Sequence, residues 1–494
     1  MTLVVETRSG TVRGIERDGV AVWRGIPYAE PPLGPLRFLP PRPPLAWTGE
    51  RDATRFGAVA MQSRDPRIAI MSGIGEKIAM SEDCLVLNVF APFTHADGPK
   101  RPVLVWIHGG AFVMGSGSTP LYHGTSFAQH DVVVMTLNYR LGLFGFLYLG
   151  DQSPAHREGN VGLLDQVAAL RWVQHNIAGF GGDPDRVTVM GESAGAVSVA
   201  TLLAMPAAAG LFHAAILQSG AAGLLTPTCA QATALTHTIL DDLGTRDLDV
   251  LATLPAEQLL DAQHRASALR GIAAFAPYVD GFTLPRAPIE AVRDGAAIKV
   301  PLLLGSNRDE WTLFEVFMGD ASTQVVKSLL RAQLGEDVDR IHAGYVQADE
   351  ATSSARAWVD VIGDAAFRIP MIHLAEAQAG HAAVWMYRFD WASSGGGGRL
   401  GATHALELPF VWNRLELPAS QFLLGGELDR ARPLAAQMHA TWIAFVTRGQ
   451  PDGGGLPAWP AYDSTRRATM LLDETSRVVD DPGGVLRALW DAVT

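Results

Sequence analysis

The run Val187-Thr-Val-Met-Gly191-Glu192-Ser193-Ala194-Gly195 constrains this chain more than any other feature. It is an apolar strand that enters Gly-x-Ser-x-Gly and continues into the helix-forming stretch Ala196 to Ala204. Glycine on both sides of a serine allows a sharp strand-to-helix turn and close approach by other chain segments. The Ser193 hydroxyl is therefore expected to project from a sheet edge. The amides and dipole of the following helix favour negative charge at that point. This context predicts a nucleophile rather than a plain connecting turn.

The flanking sequence has matching grammar. Apolar runs at Val103 to Ile107, Val132 to Leu137, Val187 to Met190, Ala214 to Leu217, Val300 to Leu304 and Val384 to Phe389 alternate with helix-length segments. That predicts an α/β chain with a large, mostly parallel, twisted central sheet flanked by helices. Before it, short apolar runs punctuated by Gly10, Gly14, Gly19 and Gly25 predict hairpins in a small amino-terminal antiparallel sheet, and Pro27 to Pro44 is Pro-rich surface chain. Between Asn160 and Asn176, Val161, Leu164, Val167, Ala168 and Trp172 fall at helical spacing and predict an apolar stripe against the sheet. Long helical stretches between Leu217 and Val300, and between Trp311 and His381, are insertions suited to roofing a site. The tract Ser393 to Gly398 reads as a flexible loop, since no Lys-Ser or Lys-Thr follows to make a phosphate cradle. With no internal repeat and no clean linker, residues 1–494 are expected to form one domain.

Composition narrows the function. Apolar residues make up 48% and charged ones 18%, enough for a large core. Lys plus Arg at 39 against Asp plus Glu at 51 gives 39 − 51 = −12, the wrong sign for nucleic acid or anionic lipid. Two cysteines, Cys84 and Cys229, are too few for a disulfide framework or a zinc site. The amino terminus lacks the basic and apolar regions of a secretory signal, and no apolar run approaches the roughly 20 residues of a membrane span. A soluble protein of the cytoplasm is expected, monomeric or weakly homo-oligomeric.

A serine hydroxyl needs a general base, and that base an orienting carboxylate, in the chain order Ser, acid, His. His342, His373 and His439 sit within helical patterns, and His381 precedes a strand. His404, in Gly401-Ala-Thr-His404-Ala-Leu-Glu407-Leu-Pro409-Phe410, follows a strand and a Gly-rich loop. The acid belongs just past a strand end, where Asp309 and Glu310 are adjacent and spacing alone leaves both open. Trp106-Ile-His108-Gly109-Gly110-Ala111-Phe112 follows a strand where an oxyanion hole is required. Its small residues Gly109, Gly110 and Ala111, with Ala194 after the nucleophile, are the candidate amide donors. His108 precedes the serine and is expected to be structural.

These residues carry a family resemblance. Phe180-Gly-Gly-Asp-Pro-Asp-Arg-Val187 through Gly195, and Ser81-Glu82-Asp83-Cys84-Leu-Val-Leu-Asn88-Val89, resemble the two signature segments of the type-B carboxylesterases, which include cholinesterases and bacterial p-nitrobenzyl esterases. The likeness continues in Trp23-Arg-Gly-Ile-Pro-Tyr-Ala29, Asn138-Tyr-Arg140-Leu-Gly142, Gly159 to Gln166 and Leu217-Gln-Ser219-Gly220. It covers nearly the whole chain, most thinly over Leu224 to Arg270 and Ala321 to Arg356. The resemblance implies the α/β-hydrolase fold, with Ser193 as nucleophile, Glu310 as acid and His404 as base. It implies ion pairs Arg37–Glu82 and Arg140–Asp165, a supporting role for Ser219 near the triad, and Glu192 beside the nucleophile. Secreted eukaryotic members pair the cysteine matching Cys84 with one shortly before it. Here Ala60, Met61 and Gln62 stand in that region, so Cys84 is expected to be free. The carboxyl-terminal tails of those relatives also have no counterpart, which makes the bacterial esterases the better guide.

The expected activity is hydrolysis of small to medium hydrophobic carboxylic esters through an acyl-enzyme, with neither metal nor organic cofactor. Phe112, Phe275, Phe314, Phe317 and Met318 are candidates to line the substrate pocket, with Glu192 and Ser219 near them. Two other readings compete: an amidase or carbamate hydrolase using the same triad, and a silent esterase-like binding protein of the kind that has lost its nucleophile.

Overall fold

The computed structural model describes residues 3–63, 79–93, 98–223, 226–270, 274–348 and 353–493. Met1 of the amino-terminal stretch read above lies outside them. The chain divides into two compact units, Met1–Ile216 with Pro227–Pro288, and Leu217–Thr226 with Ile289–Thr494.

The first unit holds β1 (Leu3–Thr7), β2 (Gly10–Arg17), β3 (Val20–Pro27), β4 (Glu50–Asp52), β5 (Val86–Pro92), β6 (Arg101–Ile107), β7 (Val133–Leu137) and β8 (Gly182–Glu192). Their order is β1-β2-β3-β5-β7-β6-β8, with β4 beside β2. The amino-terminal hairpins are antiparallel, as expected, but β4 joins β2 in parallel, so the small sheet of β1, β2 and β4 is mixed; it shares β2 with the larger one through β2–β3 and β3–β5 pairing. From β7 through β6 to β8 the strands are parallel, with Ile107 level with Gly191. Every residue of β7, and all of β6 but Arg101, is buried, as a strand covered on both faces requires.

β9 (Ala214–Gln218) ends as the chain passes out of the first unit. The second unit holds β10 (Leu302–Asn307), β11 (Val384–Phe389), β12 (Ala468–Leu472) and β13 (Arg477–Asp480). The first three run parallel and β13 returns antiparallel at the edge. Between β10 and β11 come helices Thr312–Met318, Asp320–Leu334, Asp337–Ala348, Ser354–Gly363 and Ile369–Ala379, with no strand among the described residues.

The helix Val161–Asn176 forms where expected, but its buried surface is wider than one stripe. Leu163, Ala169, Leu170 and Val173 are buried, whereas Leu164 and Ala168 are only half-buried. Polar side chains on the buried side are satisfied locally: Gln166 Nε2 donates to Ser198 Oγ at 3.0 Å, and Asp165 takes both arms of Arg140 at 2.7 and 2.8 Å. The Arg37–Glu82 pair is likewise two-pronged, at 2.6 Å on each arm. Both ion pairs implied by the resemblance are present, and Cys84 is buried and free.

The glycine tract Gly395–Gly398 is a tight turn in which Gly396, Gly397 and Gly398 take positive φ of 62°, 72° and 84°. Ser393 Oγ anchors its start, donating to Leu423 O at 2.5 Å and accepting from Gly395 N at 2.8 Å. Among the described residues, no helix is long and apolar enough to cross a membrane.

Candidate active site

In the first unit, β8 runs into the helix Ala194–Ala204 through a single residue, Ser193, at φ +55° and ψ −124°. A residue with a side chain adopts that backbone only under strain, of the kind stored at functional turns. The turn is possible because its neighbours lack side chains. A Cβ on Gly195 would stand 2.1 Å from Ile107 O at the end of β6, and one on Gly109 would stand 2.7 Å from Glu192 O and 3.0 Å from the Ser193 Cβ. The chain after β6 is therefore packed directly on the nucleophile. The amide of Ala194 opens the helix, where N–H groups lack partners within it.

That loop is rigidly shaped. Gly110, Ala111 and Phe112 all have positive φ, at 108°, 52° and 60°. Val113 N and Met114 N both donate to Gly110 O at 3.0 Å. His108 is buried against Tyr139, ring centroids 4.6 Å apart, and its Nδ1–H donates to Gly109 O at 2.8 Å. Burial pushes the His108 imidazole down to about 4, outweighing that carbonyl, so it is neutral near pH 7. It behaves as the structural residue expected. Gln62 was not singled out from sequence. It clamps the loop from behind, accepting from Gly115 N at 2.9 Å and donating to Gly115 O at 3.0 Å.

In the second unit, Glu310 and His404 meet. His404 Nδ1 donates to Glu310 Oε2 at 2.6 Å, and both side chains are buried. That bond fixes the tautomer in which Nε2 is the ring nitrogen able to accept a proton. The other oxygen, Glu310 Oε1, accepts from Asn307 N at 2.7 Å. Phe314 and Phe367 flank the imidazole, with centroids 5.2 and 4.5 Å from it.

Asp309 has a different task. Its Oδ2 accepts from Ala402 N at 2.8 Å, and its own N–H donates to Ala402 O at 3.0 Å, so it grips the chain two residues before His404. Gly401 is required beside it, since a Cβ there would lie 2.5 Å from Asp309 Oδ2. Arg308 and Arg356 pair with the same carboxylate at 2.9 Å each. They hold it below the ordinary carboxylate range against the opposing effect of burial. Spacing could not separate Asp309 from Glu310; the hydrogen bonds give each its own partner.

Ser219 is fully buried at φ +49°, and its N–H donates to Gly305 O at 2.8 Å. The remaining pocket candidates belong to both units. Phe112 is buried against Phe146 (4.9 Å) and Phe275 is buried in the first unit. Phe317 contacts Phe422 at 5.9 Å, and Met318 is 46% exposed. Glu192 is buried next to the nucleophile.

A family model described as the carboxylesterase family matches residues 1–483. The chain belongs to the carboxylesterase family. It is 42% identical to para-nitrobenzyl esterase of Bacillus subtilis (strain 168), over 97% of this chain and 96% of that one. It is 37% identical to phenmedipham hydrolase of Pseudarthrobacter oxydans, over 97% of both. Among solved structures, a thermophilic p-nitrobenzyl esterase matches with TM-score 0.90 at 41% identity, covering 99% of this chain and 100% of that one. A Geobacillus stearothermophilus carboxylesterase matches with TM-score 0.87 at 46% identity, covering 99% of each. These likenesses establish the α/β-hydrolase fold, and the protein is a carboxylic ester hydrolase.

Proposed function

We propose that this esterase works through Ser193, His404 and Glu310. His404 Nε2 takes the hydroxyl proton as Ser193 Oγ attacks the ester carbonyl. The developing O⁻ is received by amides drawn from Gly109, Gly110, Ala111 and Ala194. His404 then passes its proton to the leaving alkoxide, so that an alcohol departs and an acyl-serine remains. A water gives its proton to His404 and attacks the acyl carbon, releasing the acid and restoring Ser193. Glu310 stays ionised and holds the imidazolium in place. The observation that carries this reading is the buried 2.6 Å Glu310–His404 bond in the second unit; Ser193, in the first, is held in strained backbone at the start of a helix.

The two units act as one catalytic domain of residues 1–494. The substrates are small to medium hydrophobic esters, met by apolar side chains such as Phe112, Phe314, Phe317 and Met318. The protein works in the cytoplasm, as monomer or weak homo-oligomer, without nucleic acid, membrane, metal or organic cofactor. The test is p-nitrophenol release from p-nitrophenyl esters of rising acyl length, run beside a matched anilide and carbamate. Ester turnover peaking at a short or medium chain supports the reading. Faster cleavage of the anilide or carbamate would move the preferred substrate class, and turnover that rises steadily to the longest chains would remove the size limit.

A further inference from the structure

A second carboxylate lies behind the triad acid. Glu407 follows His404 by three positions, stands just before the short helix Leu408–Val411, and is fully buried. Its Oε2 accepts from Asn307 Nδ2 at 2.6 Å and its Oε1 from Gln218 Nε2 at 3.0 Å. Asn307 thus holds both carboxylates, Glu310 through its backbone N–H at 2.7 Å and Glu407 through its side chain, and it also donates to Thr403 O at 2.7 Å. No Arg or Lys is paired with either glutamate among the described residues.

We propose that Glu407 is a positioning residue for Glu310 and His404, and that gain or loss of its proton sets how firmly His404 holds its own. This rests on the reading of Glu310 and His404 as acid and base. The titratable groups acting on Glu407 are Glu310, which opposes its ionisation, and His404, which favours it. Its other partners, Gln218 on β9 and Asn307 on β10, are neutral amides. The nearby Arg308 is paired with Asp309, which also pairs with Arg356. Burial first, and Glu310 second, push the Glu407 carboxyl up to about 7.

The surroundings accept either state. Ionised, Glu407 has an N–H donor on each oxygen. Protonated, it needs an acceptor for its O–H, and Gln218 Oε1 is buried without a partner among the described residues. A half-turn of the Gln218 amide brings that oxygen to where its nitrogen stands. Ionised Glu407 adds a second negative charge that stabilises the His404 imidazolium, and protonation removes it.

The experiment is kcat and KM against pH for wild type, Glu407→Gln and Gln218→Leu, with Ser193→Ala and His404→Ala as controls. Glu407→Gln is permanently neutral, so the acid limb of its kcat/KM profile moves to lower pH by roughly half a unit to one unit, with KM within about two-fold. Gln218→Leu keeps Glu407 but strips one donor from its carboxylate. Its limb moves the same way by less, which keeps the idea testable should Glu407→Gln fold poorly. Activity lost equally at every pH, with the limb unmoved in both variants, makes Glu407 structural only and overturns the inference. Full turnover by Ser193→Ala or His404→Ala overturns the triad reading instead.

Discussion

Strain at Ser193 makes a stability prediction that is opposite in sign to the usual effect of adding glycine. At φ +55° and ψ −124°, a residue with a Cβ is held in a sparsely populated region, at a cost of about 1–3 kcal/mol. Glycine occupies that region freely, but it loses more entropy on folding, which costs about 0.5–1 kcal/mol relative to alanine. Ser193→Gly should therefore be more stable than Ser193→Ala, by up to roughly 2.5 kcal/mol, although both lack the nucleophile. Comparing the two variants cancels the loss of the hydroxyl and isolates the backbone. The assay is urea unfolding followed by tryptophan fluorescence and by circular dichroism. Midpoints are converted to free energy only where the two probes coincide. A glycine variant less stable than the alanine variant would refute the claim that the elbow stores strain.

Three further outcomes follow from the hydrogen bonds. Asp309→Ala frees the chain before His404, so kcat should fall about ten-fold or more with little change in KM, since a small misplacement of a catalytic group is costly. Asp309→Asn keeps an acceptor for Ala402 N and should recover much of the loss; steady-state kinetics of the two variants checks both. Asp165→Asn leaves the Arg140 guanidinium buried opposite a neutral group and should cost about 3–5 kcal/mol in urea unfolding. The carboxyl of Glu407, raised from 4.5 to about 7, contributes stability that is fully present below pH 4.5 and lost as pH rises through 7. Glu407→Gln should therefore gain on wild type across that window, by on the order of 3 kcal/mol above pH 8. A constant difference across pH would contradict the buried charge.

Strand-forming runs such as Val103 to Ile107 and Val384 to Phe389 were legible because continuous apolar sequence bounded by turn residues has few other uses. The nucleophile was legible for a similar reason: Gly-x-Ser-x-Gly between strand and helix encodes its own backbone. The helix Val161–Asn176 shows where pattern stops. Helical spacing alone does not place Asp165 and Gln166, which are buried because Arg140 and Ser198 satisfy them across the fold; only the family resemblance implied the Arg140–Asp165 pair. Glu407, Asn307 and Gln218, and the loop-holding role of Gln62, escaped notice because each acts through a partner distant in the chain. The only local signal was a glutamate placed three positions after the candidate base. In the Ser393 to Gly398 turn, composition reported glycine's freedom, which Gly396 to Gly398 use at positive φ, but not the serine hydroxyl that anchors its start.

The most direct test of the account is covalent. The protein is treated with a fluorophosphonate, digested, and the modified residue located by mass spectrometry, with labelling rates compared for wild type, Glu310→Gln and His404→Ala. The account predicts a single adduct on Ser193 that forms fastest in wild type, more slowly without Glu310 and hardly at all without His404. An adduct on another serine, or labelling of Ser193 at the wild-type rate without His404, would contradict it.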